Sequence, residues 1–362
     1  NRSSDLAILA QDLYATDQAE LAALIEKAET LQGENGKEEF QAVLAIAKEA
    51  TDAKKNWYNV SELEAIIANL KTAMENYKKA QWFIDFAAGE YYVIVVESGL
   101  KMAAGNDWGT RGIVNEAGLD LTLTPYSESR TVTFDSRVYN RDTQHFLGSN
   151  LYMDSDEWGW ALVYQGFGFY ILNPNNGKYI NIDLYNNNLV ESDTPREWII
   201  VSKDGVRAQL LEEMADATKD NPVDATGLIV AQNFNRNDSR NAAAWSVSED
   251  CTNHNFSGGN NVNNNAESYH STFTIMQTIS DCPAGFYQLT AQGFYRQDPF
   301  EGDAPAAPMF FANGVNANVP EMGDLPDHSE DGNNGQDDAS VEFTNGNYTI
   351  EPINFEVKED IA

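Results

Sequence analysis

Soft-ligand chemistry has little to work with: 362 residues contain two cysteines and four histidines. Cys251 and Cys282 stand in neither a CxxC nor a zinc spacing. They either pair across a sandwich in an oxidising compartment or remain two buried thiols. His145, His254, His270 and His328 belong to no HExxH element. The chain also lacks a G-x-S-x-G elbow, a P-loop and a dinucleotide fingerprint. Carboxylate pairs for glycoside hydrolysis cannot be singled out among so many acids. The reading is therefore of a protein that is not an enzyme and implies no cofactor.

Positive charge is scarce as well. Lys and Arg number 23 against 56 Asp and Glu, giving a formal charge of −33 and an isoelectric point near 4.2. Such a surface repels phosphate backbones and makes nucleic acid a poor partner. The charge serves solubility, with cation binding as the alternative. No apolar run approaches the roughly 20 residues that a membrane helix needs, so no transmembrane segment is expected. The most apolar stretch, YYVIVVESGL at 91–100, is interrupted by Glu97 and reads as a strand. No signal peptide or lipidation motif is visible, and the first residue is Asn1. That pattern is expected of a processed or trimmed product.

Proline is absent from residues 1–80, and glycine appears there only at Gly33 and Gly36. Leu21, Leu24, Ile25, Ala28 and Leu31 form a helical stripe. Asp17 and Glu20 have capping-box spacing. After QGENGK the stripe restarts at Phe40, Val43, Leu44 and Ala47, and a third uses Leu63, Ile66, Ile67, Leu70, Met74 and Tyr77. An all-α three-helix bundle over 1–80 follows, in the role of a spacer.

From 82 the helical period disappears. LDLTL (119–123), GWALV (159–163) and EWIIV (197–201) end three similar segments; with Leu121, Trp160 and Trp198 equivalent, the spacings are 39 and 38 residues. The segments open with YYVIVV (91–96), RTVTF (130–134) and GFYIL (168–172). Three such units, none able to bury its apolar side alone, predict a β-trefoil over 82–203. A β-propeller of similar period needs at least about four blades. Residues 204–222 read as a helical connector, with Val206, Leu210, Leu211 and Met214 on one side and Asn221-Pro222 as its stop.

The chain from 223 to 362 reads as β again. Strands are expected in GLIVAQNFNR, AAAWSVS, STFTIMQTI, FYQLTAQGFYR, APMFFANG, SVEFTNGN and INFEVKED. The order suits a jelly-roll sandwich. Residues 320–340 are acidic and glycine-rich, as in a mobile loop.

In this part, NPVDATGLIVAQNFNRNDSRNAAAWSV, then ESYHSTFTIMQTISDCPAGFYQLTAQGFYRQ, then FFANG, resembles the galactose-binding-like sandwich of multidomain Bacteroidetes surface proteins. The match covers 223–315. GNDWGTRGIVNEAGLDLTLT and HFLGSNLYMDS resemble the lectin-like trefoil that accompanies it. The resemblance implies an exported, cell-surface or outer-membrane protein with glycan-binding modules and names no sugar. The family's W-x-x-F-D-N-F strand would fall beyond Ala362, so the sandwich is expected to be incomplete here or completed by residues outside this segment. A calcium site built with that strand does not carry over. The Q-x-W element of ricin-type lectins is also missing, and with it their galactose sites.

Sugars are held by aromatic faces and by a few convergent polar groups. In the sandwich the candidates are Trp245, Tyr269, His270 and Arg296, with Asn260 and Asn264 from a long polar loop. A core tryptophan is the alternative for Trp245, and a structural ion pair the alternative for Arg296. Phe294 to Gln297, at the end of an alternating strand whose Tyr287 and Leu289 read as core, is where a ligand is expected. In the trefoil, Trp108 lies in a polar turn with Asn106 and Asp107 beside it; the alternative is a lid on the barrel. Trp158, two residues from Trp160, either shares its side or tops the barrel. Tyr152 and Asp154 are weaker candidates. The acidic stretch 324–338 offers oxygen ligands for a structural calcium without EF-hand spacing, and solvated charge is the alternative.

These features favour a non-catalytic surface protein that captures glycans or glycoproteins through several weak sites. The alternatives are an architectural or adhesin subunit that binds protein, a strand being donated by a partner, and accessory modules of a larger glycan-degrading enzyme.

Overall fold

The computed structural model describes residues 2–51, 60–256, 264–268, 271–295, 307–323 and 336–358. Helices α1 (Arg2–Glu29), α2 (Lys37–Thr51) and α3 (Val60–Ala80) pack on one another as the stripes predict. Leu21, Ile25, Ala28, Phe40, Leu44, Leu63, Ile67 and Leu70 are all buried between them. Phe40 stacks on Tyr77 with ring centroids 4.3 Å apart. Asp17 caps nothing, because α1 runs straight through it. The apolar stripe begins upstream of Asp17, and a helix with Ala and Leu on both sides of it has no reason to start there.

Trp82 leaves the bundle and is pinned to the β domain. Phe83 N–H donates to the Leu162 carbonyl (2.8 Å), and Arg130 Nη2 donates to that of Trp82 (2.7 Å). The domain is one large antiparallel sheet of ten strands, nearly barrel-shaped. Its strands are β1 (Gly89–Val95), β2 (Lys101–Gly105), β3 (Arg111–Asn115), β4 (Leu121–Tyr126), β5 (Thr131–Asp135), β6 (Ala161–Tyr164), β7 (Phe169–Leu172), β8 (Tyr179–Ile182), β9 (Leu189–Ser192) and β10 (Trp198–Ser202).

Six of them close a circuit. β1 pairs with β4 and β10, β4 with β5, β6 with β7, and β7 with β10. The remaining gap, between β5 and β6, is bridged where Val132 and Trp160 exchange backbone hydrogen bonds of 2.8 and 2.9 Å. These six are the strands expected from the opening and closing segments of the three repeats. The residues taken as equivalent, Leu121, Trp160 and Trp198, are each fully buried.

Between the opening and closing segments of each repeat lies a hairpin: β2–β3, residues 146–155, and β8–β9. β3 joins the other two. Gly112 N–H donates to the Leu151 carbonyl at 2.8 Å and Val114 N–H to that of Asn187 at 2.9 Å. A Cβ on Gly112 would sit 2.8 Å from the Leu151 oxygen and 2.8 Å from Leu189 Cδ1. Gly112→Ala is therefore expected to cost about 1–3 kcal/mol as these backbones are forced apart, measured as a shift in urea midpoint. An unchanged midpoint would show that the hairpins are not in such close contact.

The connector helix, α4 (Lys203–Ala215), is shorter than expected and ends before Asn221-Pro222. None of its residues is buried, so its apolar stripe gains little from extension. The region from 223 differs more. Among the described residues it contains no continuous jelly-roll sheet. It holds α5 (Arg240–Ala244), then four two-stranded ladders: β11 (Ser246–Val247) with β14 (Ile275–Met276), β12 (His254–Asn255) with β13 (Glu267–Ser268), β15 (Gly285–Leu289) with β18 (Ile353–Val357), and β16 (Met309–Ala312) with β17 (Val315–Asn318). The expected strand at 227–236 is a run of turns. Its backbone is taken up locally instead of being left free for a ladder: Ile229 N–H donates to the Thr226 carbonyl (3.0 Å), Phe234 N–H to that of Ala231 (3.2 Å), and Asn241 Nδ2 to that of Asn235 (2.8 Å). The expected strand at 340–347 is instead mostly α6 (Gln336–Thr344), where Thr344 Oγ1 bonds back to the Ser340 carbonyl at 2.7 Å.

The alternation at 285–290 holds. Tyr287 and Leu289 face inward and Phe286 outward at 88 % exposure. Tyr287 and Leu289 are half-buried rather than core, and Tyr287 stacks on Phe355 across the ladder.

Candidate functional site

A groove of about 490 Å³ opens where the β2–β3 turn, the 140–156 stretch and residues 236–237 meet. At its edge Asn106, Asp107 and Trp108 have φ of 48°, 28° and 68°, the left-handed region that non-glycine residues seldom occupy. The turn is held by its neighbours: Asn106 Nδ2 donates to Asn188 Oδ1 (2.7 Å) and to the Asn186 carbonyl (3.2 Å) of the β8–β9 turn. Its consequence is that Trp108 stands 73 % exposed beside the groove. Free of packing, its indole face is a platform of the kind that stacks on sugar rings.

Tyr152 lies against the same turn. Its hydroxyl donates to Asp107 Oδ2 (3.2 Å), and the Arg111 guanidinium sits 5.0 Å from its ring centroid. Burial, then the Asp107 carboxylate, raises the Tyr152 phenol above its ordinary range, so it stays a donor. Arg111 itself is spent on the carbonyls of Asn150 (2.8 Å) and Leu189 (2.5 Å). Gln144 Nε2 donates to Asp156 Oδ1 at 3.2 Å, and Ser155 Oγ donates to Asn150 Oδ1 at 2.8 Å. Asp154, half-buried in the same lining, makes no hydrogen bond or ion pair among the described residues.

The wall formed by Arg236 and Asn237 is fixed from beneath. Tyr139 N–H donates to the Asn237 carbonyl at 2.9 Å, and Ser239 N–H to that of Arg137 at 3.1 Å. Buried Arg240 then ties this segment to the β domain. Its Nε reaches Asp238 Oδ1 (2.7 Å), its Nη1 reaches Asp120 Oδ1 (2.8 Å) and its Nη2 the Ser136 carbonyl (2.7 Å). Arg137 and Lys203 take the other Asp120 oxygen, each at 2.8 Å. Burial alone would raise the Asp120 carboxyl, but Arg240, Lys203 and Arg137 outweigh it and hold it at about 2.

The structure thus brings Trp108, Asp107, Tyr152 and Asp154 to one place, with Asn106 bracing the turn. It does not bring Trp158 there. That ring is half-buried against the domain core and its indole N–H has no partner among the described residues. Trp245 is packed too: its Nε1 donates to the Ala231 carbonyl (3.2 Å) and its ring lies 4.9 Å from that of Phe234, which stacks on Phe256. Asn264 is exposed and bridges to Asn235. Asn260, Tyr269, His270 and Arg296 lie outside the described residues, as do 324–335 of the acidic stretch. Phe294 is half-buried and packs against Tyr348, with centroids 4.6 Å apart. Cys251 and Cys282 are both free thiols. Among the described residues no cluster of three His, Cys, Asp or Glu side chains could hold a metal, and no helix is long and apolar enough to cross a membrane.

Sequence reasoning missed Asn140, Gln144, Asn150, Asp156, Arg236 and Asn237. They are ordinary polar turn residues, and only the joining of distant segments makes them a lining.

No family model matches the sequence, and no curated protein matches it. Among solved structures, a complex of lysenin with phosphocholine shows a TM-score of 0.27 and 11 % identity, over 34 % of this chain and 47 % of the lysenin chain. The chain spans less than half of lysenin's length, and so partial an overlap carries no functional argument.

Proposed function

We propose that the protein is a non-catalytic carbohydrate-binding protein and that the groove beside Trp108 is its glycan site. The observation that carries this reading is the Trp108 indole, exposed and held in a left-handed turn against an amide- and carboxylate-lined groove. Strained backbone of this kind persists where surrounding structure over-determines it, and it concentrates at ligand sites. A face for C–H stacking with Asp154, Gln144 and Asn140 around it is the combination that sugar hydroxyls require.

The circuit of six strands with three hairpins supports a β-trefoil reading of 82–203, and the order of motifs over 223–315 supports an exported, cell-surface galactose-binding-like module behind the helical spacer. Several weak sites on one surface protein would gain from effective concentration. A second reading, an architectural subunit that docks protein, is favoured by Phe286, which stands outward on the β15–β18 ladder.

The test is a glycan-array screen of the whole chain, with and without calcium, followed by titration of the best hit. Trp108→Ala should weaken that hit roughly tenfold or more, as truncation of an aromatic anchor does. Because Trp108 buries little of its side chain, thermal stability should not fall. Wild-type affinity in Trp108→Ala would remove the groove from consideration. A blank array from folded protein would move the reading to the architectural one.

A further inference from the structure

We infer that the groove selects uncharged glycans and rejects acidic ones, with Asp154 as the specificity-determining residue. This rests on the groove being a carbohydrate site, and it follows from the balance of charge there. Asp107 and Asp156 accept hydrogen bonds from neutral donors, Tyr152 and Gln144, which leave their negative charge in place. Asp154 is half-buried, lines the groove and has neither hydrogen bond nor ion pair among the described residues, so both its oxygens are available to ligand hydroxyls. Arg111 has its Nη1 and Nη2 on the neutral carbonyls of Asn150 and Leu189 and lies against the Tyr152 ring, so its donors are occupied while its positive charge stays in place. Arg236 also lines the groove and brings a second positive charge. With Asp107, Asp154 and Asp156 against Arg111 and Arg236, the groove carries one net negative charge and offers the Asp154 oxygens to hydroxyls, within a chain of formal charge −33.

A neutral sugar stacked on Trp108 can donate two hydroxyls to the Asp154 carboxylate, and charge-assisted bonds of this type are the stronger ones. A sialic acid, uronate or sulfate in the same place puts like charges about 5 Å apart. At an effective dielectric between that of water and of a protein surface, the repulsion weakens binding roughly tenfold.

The experiment uses the full chain on matched pairs: each neutral oligosaccharide beside its sialylated, sulfated or uronate-bearing counterpart, at low and high salt. Binding should be confined to neutral members, with counterparts roughly tenfold weaker or more. The gap should narrow at high salt, because charge repulsion is screened. Asp154→Asn should weaken the neutral hit and bring the acidic counterpart closer to it, a convergence that loss of folding would not produce. Acidic members bound as tightly as neutral ones, or more tightly, would overturn the selectivity while leaving the glycan site standing. Silence from both members of every pair would overturn the glycan reading itself, and this inference with it.

Discussion

Arg240→Met is expected to destabilise the protein by about 3–5 kcal/mol, the range found when one partner of a buried ion cluster is removed. Among the described residues the guanidinium is the only group that touches Asp120, Asp238 and the Ser136 carbonyl at once. Without it Asp120 still has Arg137 and Lys203. Asp238 does not share that safety. Its side chain is buried, Oδ1 would keep only the N–H of residue 240, and Oδ2 has no partner among the described residues. The cost is therefore concentrated on one stranded carboxylate. Pairing Arg240→Met with Asp238→Asn should recover a large part of it, whereas Asp120→Asn should not. Hydrogen exchange gives a local reading. The N–H groups of Tyr139 and Ser239, which tie 137–139 to 237–239, should lose protection before those of the six-strand circuit. The groove wall at Arg236 and Asn237 rides on the same segment, so glycan binding should fall with that protection. A cost below about 1 kcal/mol, against the range for buried ion pairs, would show that the cluster is not what fastens the segment.

None of this cluster was visible in the sequence, and the reason is physical. Asp120, Arg137, Lys203 and Arg240 are spread over 121 positions, and nothing in their neighbourhoods separates them from the other charged residues. The parts that were legible are those in which the pattern is local. Three helical stripes became three helices because apolar periodicity and burial report the same face. The six strands of the circuit were read from segments that recur at 39 and 38 residues, since a repeat lets three weak signals support one another. The region after 223 was misread where β-rich composition was taken for strand. There, Asp238 and Asn241 spend their side chains on nearby backbone, and Ser340–Thr344 sits in a helix that its alternating letters conceal. Half of the candidate site was legible for a related reason. A tryptophan among Gly, Asn and Asp is conspicuous wherever it occurs, and Trp108 is in such a turn. Asn140, Gln144 and Arg236 are not conspicuous, and only tertiary contact makes them neighbours.

Trp160→Ala should be about as damaging as Arg240→Met, by a different route. The side chain is fully buried among the core of the β domain, and truncating a buried tryptophan costs about 3–5 kcal/mol. Its Nε1 donates to the Leu147 carbonyl at 3.0 Å, so the truncation also leaves a buried acceptor without its donor. Position matters as much as size. The backbone of Trp160 makes the bridge to Val132 that closes the circuit between β5 and β6, and Leu147 belongs to the hairpin segment whose later residues line the groove. Loss at this one residue therefore loosens both the closure of the sheet and the wall that carries Tyr152 and Asp154. Trp198→Ala removes the equivalent residue, whose Nε1 reaches the Ile180 carbonyl at 3.3 Å, and should cost a similar amount while sparing that wall. Urea unfolding followed by near-ultraviolet circular dichroism measures both, with the helical signal reporting separately on the bundle. If Trp160→Ala and Trp198→Ala lower stability alike but only Trp160→Ala weakens glycan binding in the protein that remains folded, the repeat supplies the core and one copy of it has been specialised to hold the site. Equal loss of binding in the two variants would mean instead that the groove depends on the closed sheet as a whole, with no special role for the hairpin beneath Trp160.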